Sequence, residues 1–586
     1  MKTLKIICAV LVLALSFEQC QAQFAAEKTV ELSGKSKNKG YLGKVNVDDA
    51  KKQFELVFVT KSNNRKIKFD LYQFDYSLNL LGSTSDEQEA KSASSKYSWL
   101  KYKGDGEADA ETYDGIAAEQ SMMGKLVLKK IQTIKKFNWW TGNYEYETKQ
   151  LDKVKPTTLD EDGKKRKLYY LTSHQISSTG ELLALTLENR GTMSMFKTGD
   201  RNYLLLKYNK DLQVTEETSL PFTSPQNLVF AGRVPGTDLN GDDDAIYVFA
   251  PFGANGMGKI QDPVPTNFTY VRIAPGGKIL ERFNFASKCN NWFVMDVAAK
   301  GNDVFLYGPG NIDKPEKNYS EYNITAGGSA SIGLTNEVRD NVYQDKKYEQ
   351  LQIMKVTDGK LSFVNAVSIT DINLKGIKTP SQSKKYEFDG KRFVLSSIHI
   401  TSSGDIFIDG QDFRKANEGG RVYKDLLMFQ FDKSGNFKRF YGIENTAKTR
   451  LRPIANAKAF PSKSTLTETA DGKNLAWNML VVKDVDEDCS STSDGRTETT
   501  TCYYTPLFQG RIGTIDIGTG TISDFKTYGG EDFYLYMDLE NDKGNKEPCF
   551  YINGGKVAIY IARQRKGGFT GTERWGNSIW FGKFDR

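Results

Sequence analysis

The sequence has little histidine and little proline. Only two histidines, His174 and His399, occur among 586 residues. Each opens a similar hairpin, and alignment of the turn glycines puts the two histidines one residue out of step, so they face opposite sides of their sheets. These features argue against a shared zinc site, a Ser-His-Asp triad and histidine acid–base catalysis. Carboxylate catalysis stays open, because acidic residues are abundant.

Blocks of one charge sign and long apolar runs are also missing. The formal net charge is only +7, and the basic residues are spread among the acidic ones. No basic block carries interleaved aromatic residues, which argues against nucleic acid as a partner. No later stretch is long and apolar enough for a transmembrane helix. With 39% apolar and 12% aromatic residues, the composition is that of a folded globular protein.

The N-terminus has the organisation of a secretory signal. Two lysines precede an apolar run at 6–16, and Cys20-Gln21-Ala22 matches a small-x-small cleavage site. We therefore predict a signal peptide at residues 1–22 and an extracytoplasmic location, periplasmic rather than secreted or cell-surface. A lipoprotein anchored through Cys20 is the disfavoured alternative, because a small residue should precede that cysteine and Gln19 stands there.

Four cysteines follow the signal, in a compartment where disulfides form. Cys489 and Cys502 flank a polar segment between two apolar strands, and we predict a disulfide between them. Cys289 and Cys549 each precede an aromatic strand start in separate repeats. Equivalent places in separate repeats are usually far apart, so two buried thiols are favoured over a bridge.

A repeated pair of hairpins runs through the chain. One hairpin has a tight turn of Asp, Gly or Asn, as in YVRIAPGGKILERF from Tyr270 and LLMFQFDKSGNFKRFYGI from Leu426. Another hairpin precedes most copies, as in SIHITSSGDIFIDG from Ser397, and its second strand is more continuously apolar. Units of four antiparallel strands that recur at roughly 60 to 85 residues predict an all-β fold, a single β-propeller.

The two ends of the chain predict how the propeller closes. The last unit, FYINGGKVAIYIA and then SIWFGKFDR, supplies only three strands, whereas EKTVELSGK from Glu27 is a strand without a hairpin partner. We expect this N-terminal strand to complete the C-terminal blade and to remove an open edge. The count is about eight blades, or seven if the poorly formed second unit belongs to a neighbour.

Residues 23–586 are assigned to this propeller, with three insertions. They are predicted near residues 83–123, 311–349 and 485–505. Long loops on a rigid scaffold often carry binding function, so the first two insertions are the predicted contact regions.

The repeats resemble those of secreted bacterial β-propellers with WD40-like or PQQ-like blades. TIDIGTGTISDF from Thr514 is similar to the blade motif of PQQ dehydrogenases, with Asp516 and the Thr519-Gly520 turn. The tryptophan expected after it is absent, and the pattern occurs once. We therefore interpret the segment as turn chemistry rather than a quinone site, and assign no catalytic residue from the resemblance.

The segment DLNGDDD is the most metal-like stretch. Asp238, Asn240 and Asp242 alternate as at the start of a calcium loop, and Asp244 could replace the missing closing carboxylate. It resembles the Asp-x-Asn-Gly-Asp loops of integrin-type propellers. Calcium is the one candidate cofactor, and an acidic β-turn is the alternative interpretation.

Aromatic residues concentrate at one turn, in NWWTGNY. Trp139, Trp140 and Tyr144 are a candidate contact for a sugar or a protein partner. Packing between blades is the alternative interpretation.

These features together favour binding over catalysis. We expect a non-catalytic propeller that acts as a protein-binding scaffold or accessory subunit of an envelope or secretion assembly. One alternative is a carbohydrate-active hydrolase or lyase with carboxylates at the channel mouth, for which a glycan is the ligand. Another is a cell-surface adhesin.

Overall fold

Antiparallel strands make up nearly the whole fold, as the alternating sequence predicts. The computed structural model describes residues 24–32, 41–62, 66–89, 111–121, 125–138, 143–159, 162–189, 203–222, 226–236, 242–251, 267–289, 291–311, 347–415, 421–444, 461–469, 471–493, 498–537, 539–540, 546–567 and 573–585. Within them, the strands form eight larger sheets that follow one another along the chain, and each sheet is a blade.

The blades are numbered in chain order. Blade 1 contains β2 (Tyr41–Asp48), β3 (Gln53–Ser62), β4 (Lys66–Asp75) and β5 (Leu80–Glu89). Blade 2 contains β6 (Glu111–Gln120), β7 (Leu126–Asn138) and β8 (Asn143–Val154). Blade 3 contains β9 (Lys167–Gln175), β10 (Leu182–Asn189), β11 (Tyr203–Tyr208) and β12 (Val214–Leu220). Blade 4 contains β13 (Gln226–Val234), β14 (Asp244–Pro251), β15 (Asn267–Ile273) and β16 (Ile279–Ala286). Blade 5 contains β17 (Asn291–Trp292), β18 (Asp296–Lys300), β19 (Asp303–Asn311), β20 (Gln350–Thr357) and β21 (Lys360–Ser368).

Blades 6 and 8, like blade 5, have an addition to the four-strand plan, whereas blade 7 keeps four strands. Blade 6 contains β22 (Gly376–Ile377), β23 (Phe393–Ile400), β24 (Ile406–Lys415), β25 (Arg421–Phe431) and β26 (Phe437–Ile443), and it follows the short helix α1 (Ile369–Leu374). Blade 7 contains β27 (Lys463–Glu468), β28 (Asn474–Ser493), β29 (Glu498–Asp516) and β30 (Lys526–Thr527). Blade 8 contains β31 (Phe533–Leu535), β34 (Cys549–Ile552), β35 (Val557–Gly567), β36 (Glu573–Asp585) and β1 (Ala26–Glu31), with a small hairpin of β32 (Leu539–Glu540) and β33 (Lys546–Glu547) beside it.

Neighbouring blades pack through shared apolar clusters. Between blades 6 and 7, for example, Phe407 and Met428 pack with Leu475 and Trp477. Other clusters join blades 2 and 3, 3 and 4, 4 to 6, 7 and 8, and 8 and 1. The first strands of blades also contact each other, as β23 contacts β27. These eight successive sheets form an eight-bladed β-propeller, in which the first strands surround the axis.

The predicted closure is confirmed. Strand β1 pairs antiparallel with β36, so that Val30 lies opposite Ile579 and Thr29 opposite Trp580. Just before β1, Phe24 packs edge-on against Trp580, with ring centroids 5.1 Å apart. The N-terminal strand therefore completes the C-terminal blade and covers the edge that β36 would otherwise expose.

The doubtful second unit is a blade of its own. Strands β6, β7 and β8 form a three-stranded sheet, and Ile116 and Leu128 from that sheet pack against blade 3. Among the described residues the count is therefore eight, and blade 2 has three strands there rather than the predicted four.

The two faces of the propeller differ because antiparallel strands alternate in direction. The connections from first to second and from third to fourth strands share one face, which we call the tight-turn face, and most are tight turns such as 401–405 and 432–436. The opposite face, the long-connection face, carries the connections from second to third strands and between blades. Parts of the first and third predicted insertions belong to β5, β6, β28 and β29, and Asn311 of the second ends β19. The middle of each insertion lies outside the described residues.

Two findings bear on the cysteines and on membranes. Cys289 and Cys549 are both buried cysteines, as predicted. Among the described residues, no helix has the length and apolar character needed to cross a bilayer.

Candidate functional site

One strand near the axis buries two carboxylates in different surroundings. Eight consecutive residues of β24 are buried, from Ile406 to Phe413. Its Asp412 accepts hydrogen bonds from Lys424 Nζ at 2.7 Å and from Tyr386 Oη at 2.5 Å. Asp409, by contrast, has no ion-pair partner among the described residues, although its side chain is fully buried. Burial of an ionised carboxylate without a cation lowers the stability of the fold, so the groups that hydrogen-bond to Asp409 influence its protonation.

Two serine hydroxyls from neighbouring first strands approach the Asp409 carboxyl. Ser397 of β23 lies directly opposite Asp409 in the ladder, beside a register shift, and donates its hydroxyl hydrogen bond to Oδ1. Ser464 of β27, in blade 7, interacts with the same carboxyl. Oδ2 makes no well-formed hydrogen bond to any described group. The site thus lies at the contact between blades 6 and 7.

Burial sets the protonation of this carboxyl. It raises the pKa of Asp409 to about 6, and the hydrogen bonds from Ser397 and Ser464 oppose the shift. Near neutral pH the group is therefore poised to gain and release a proton, as a general base must.

The serines themselves are half-buried rather than enclosed. Ser397 and Ser464 both retain partial exposure, whereas Asp409 behind them does not. Trp477 Nε1 donates to Ser464 Oγ at 2.5 Å, which fixes that hydroxyl from the blade 7 side. A hydroxyl open to one side, with a buried base behind it, is the arrangement of an activated nucleophile.

His399 lies on the same strand as Ser397, two residues further along. Alternation along a strand places both side chains on one face of the sheet. Burial lowers the pKa of His399, and although Glu468 of β27 acts in the opposite direction, the imidazole is held neutral at pH 7. Its Nε2 is buried without a hydrogen bond from any described residue. Ser397 is bonded to Asp409, so the three residues do not form a Ser-His-Asp triad.

The other histidine lies in blade 3. Burial and the nearby Arg233 lower the pKa of His174 to about 4, against the opposing effect of Asp242. The two histidines therefore have different neighbours, in blades 3 and 6.

The predicted calcium loop is described only in part. Asp238 and Asn240 lie outside the described residues. Asp242 accepts hydrogen bonds from the Ser178 backbone at 3.0 Å and from its hydroxyl. Asp244 is buried and pairs with Arg272 at 2.7 Å. No group of three acidic, histidine or cysteine ligands occurs in the described part of the chain, and calcium binding stays a prediction.

For the remaining predicted site residues, the structure gives at most the position of the backbone. Trp139 and Trp140 lie outside the described residues, and Tyr144 pairs with Phe137 in the β7–β8 hairpin. Cys489 and Cys502 are directly opposite each other in the β28–β29 ladder. Facing residues in antiparallel strands have Cα separations of about 4.5 or 5.5 Å, which a disulfide can span. The disulfide and the aromatic contact stay predictions.

The sequence analysis did not identify the Asp409 site. The one available signal was the motif IFIDG, in which a carboxylate interrupts a strand that is predicted to be buried on both faces. Such a residue requires partners, but Ser464 belongs to the next blade, and nothing local in the sequence places it opposite Asp409.

Comparisons with known proteins found likeness in structure only. No protein family matches the chain, and no curated protein is similar to it. Lignostilbene dioxygenase of Pseudomonas brassicacearum is 9% identical, with 94% of this chain and 93% of that one covered at a TM-score of 0.25. A variant of the Synechocystis apocarotenoid oxygenase is 11% identical, with 82% and 94% covered at a TM-score of 0.26.

These comparisons correct the expected function. The sequence predicted a non-catalytic, protein-binding scaffold, whereas these solved structures carry the names of enzymes, a dioxygenase and an oxygenase. That prediction is therefore contradicted. Such low TM-scores and identities carry no argument about a reaction or substrate, which must be argued from the residues of this chain.

Proposed function

We propose that the protein is a hydrolase that uses Ser397 as nucleophile and Asp409 as general base. The observation that carries the proposal is the hydrogen bond from the half-buried Ser397 hydroxyl to the fully buried Asp409 carboxyl. The pKa of about 6 supports it, because the carboxyl is ionised yet basic at neutral pH.

The chemistry is acyl transfer to serine. As Ser397 Oγ attacks the carbonyl carbon of an ester or related acyl substrate, Asp409 Oδ1 takes the hydroxyl proton. Collapse of the tetrahedral intermediate expels the alcohol, which receives that proton, and leaves an acyl-serine. Water then attacks the acyl group while Asp409 takes its proton. The second tetrahedral intermediate expels Ser397 Oγ, which receives that proton, and the free acid is released. Ser464 keeps the carboxyl oriented throughout.

A fluorophosphonate probe tests this without knowledge of the substrate. An activated serine attacks phosphorus and expels fluoride, which leaves a stable phosphonyl-serine that mass spectrometry locates. We expect labelling at Ser397, its loss in Ser397→Ala, and a rate at least about a hundredfold lower in Asp409→Asn. Ser402→Ala is the matched control, because Ser402 also bonds a carboxylate, that of Glu468, but on an exposed turn. Labelling elsewhere, or labelling unaffected by Asp409→Asn, would overturn the proposal.

We also propose that the hydrolase works outside the cytoplasm, in the periplasm, after removal of residues 1–22. The support is the signal-like N-terminus and the resemblance to secreted bacterial propellers with WD40-like or PQQ-like blades. N-terminal sequencing of the protein from its native host should begin at Gln23. A mature chain that begins at a lipid-modified Cys20 would instead show an anchored lipoprotein.

A further inference from the structure

A polar cleft of about 540 Å³ lies at the outer edge of the propeller, away from the Ser397 site. One wall is β21, the outermost strand of blade 5, and the other combines α1 with the start of β26 in blade 6. This volume lies within the range of small-ligand pockets, about 300 to 1,000 Å³.

The lining is mostly polar, with a small apolar floor. Ala366, Val367 and Phe437 form the apolar part. The polar groups are amide and charged side chains, namely Gln350, Asn365, Asn436, Lys288, Lys375 and Asp371. Such a lining supplies both donors and acceptors of hydrogen bonds.

Several of these side chains are fixed by bonds that leave binding capacity unused. Asn365 Nδ2 donates to the Ser434 carbonyl at 2.8 Å, which leaves its Oδ1 as an acceptor. Lys375 Nζ donates to the Phe437 carbonyl at 2.8 Å and has two more protons to give. Gln350 Oε1 lies 3.5 Å from the Cys289 thiol, which leaves the amide NH₂ as a donor. Prior fixation of these groups reduces the entropy lost on binding.

The charge of the cleft selects the sign of the ligand. Lys288 and Lys375 are balanced by a single carboxylate, Asp371, whose Oδ2 already accepts from Ser368 at 2.7 Å. Lys288 is exposed at the rim, where an anionic group could reach it. The net positive charge favours a ligand that carries a carboxylate.

We propose that this cleft binds a short acidic saccharide, with its carboxylate on the lysines and its hydroxyls on the amides. Sugar hydroxyls both donate and accept hydrogen bonds, and the amide side chains of Gln350 and Asn365 can supply the complementary donor and acceptor. The inference is independent of hydrolysis at Ser397, since the cleft shares no residue with that site.

Isothermal titration with digalacturonate tests this, with galactobiose as the neutral counterpart. We expect saturable binding of the acidic disaccharide that weakens with salt. Lys288→Gln and Gln350→Ala should each weaken it by about tenfold or more. Lys556→Gln is the matched control, an exposed lysine on a turn of blade 8 that should leave the affinity unchanged.

Three results would overturn the assignment. One is the absence of saturable binding. Another is equal affinity for galactobiose, which would show that the lysines do not select the ligand. The third is binding of a tetraglutamate peptide with the same sensitivity to Lys288→Gln and Gln350→Ala, which would make the ligand an acidic peptide.

Discussion

Ser397 and Asp409 face each other across the first two strands of blade 6, and the serine hydroxyl donates to the buried carboxyl. Among the described residues, no cation pairs with Asp409, so the carboxyl is not part of a structural ion pair. A buried acid that has hydrogen bonds but no cation beside it destabilises the fold when ionised, and this suits a catalytic role.

The first prediction concerns the stability cost of that acid. The folded pKa of about 6 lies above the ordinary aspartate value of 3.8, so protonated Asp409 stabilises the fold fully below pH 4, and this effect is lost as pH rises through 6. Asp409→Asn should therefore be near-neutral at pH 4 and raise the free energy of unfolding by about 3 kcal/mol at pH 8. Urea unfolding at both values checks this. Equal destabilisation at both pH values would show that the carboxyl is not protonated near neutrality.

Ser464→Ala should shift the titration of Asp409 upward. The Ser464 hydroxyl favours the ionised carboxylate, so its removal raises the pKa further. The pH midpoint of probe labelling at Ser397 should move to a higher value, with full labelling recovered above it. A lower plateau with an unchanged midpoint would instead assign Ser464 a role in nucleophilic attack.

Phe24, two residues before β1, packs where the propeller closes. Phe24 is buried against Tyr528 and Trp580, so Phe24→Ala should cost about 3 to 5 kcal/mol and lower the melting temperature. Glu31→Ala, at an exposed position of the same strand, is the control and should change stability little. Similar melting temperatures for both variants would contradict a stabilising closure.

The predicted disulfide should be found by peptide mapping without reduction. The facing positions of Cys489 and Cys502 lead us to expect one linked peptide pair. Cys289 and Cys549 should react with an alkylating reagent only after unfolding, because both thiols are buried. Rapid alkylation of four cysteines in the native protein would rule the bridge out.

Calcium at the DLNGDDD loop is tested by thermal melts. A cation bound only to the folded protein raises the melting temperature, and Asp242→Asn should abolish the increase. A melting temperature that calcium leaves unchanged would favour the acidic-turn interpretation.

Sequence patterns predicted the architecture because closure and repetition have local signatures. The last unit lacks one strand and β1 has no hairpin partner, so the pairing of Val30 with Ile579 followed from counting strands. The blade number stayed open, because the turns around β6 to β8 differ from the others. The Asp409 site depends on contacts between blades, and the approach of Ser464 to a residue of another sheet has no signature in either segment.

The rate of fluorophosphonate labelling at Ser397 as a function of pH tests the central claim most directly. If Asp409 is the base, the rate should rise about tenfold per pH unit below 6 and level off above it, while Asp409→Asn shows a low, flat rate. A wild-type rate that stays flat through pH 6, or that rises only above pH 8, would show that Asp409 does not activate Ser397.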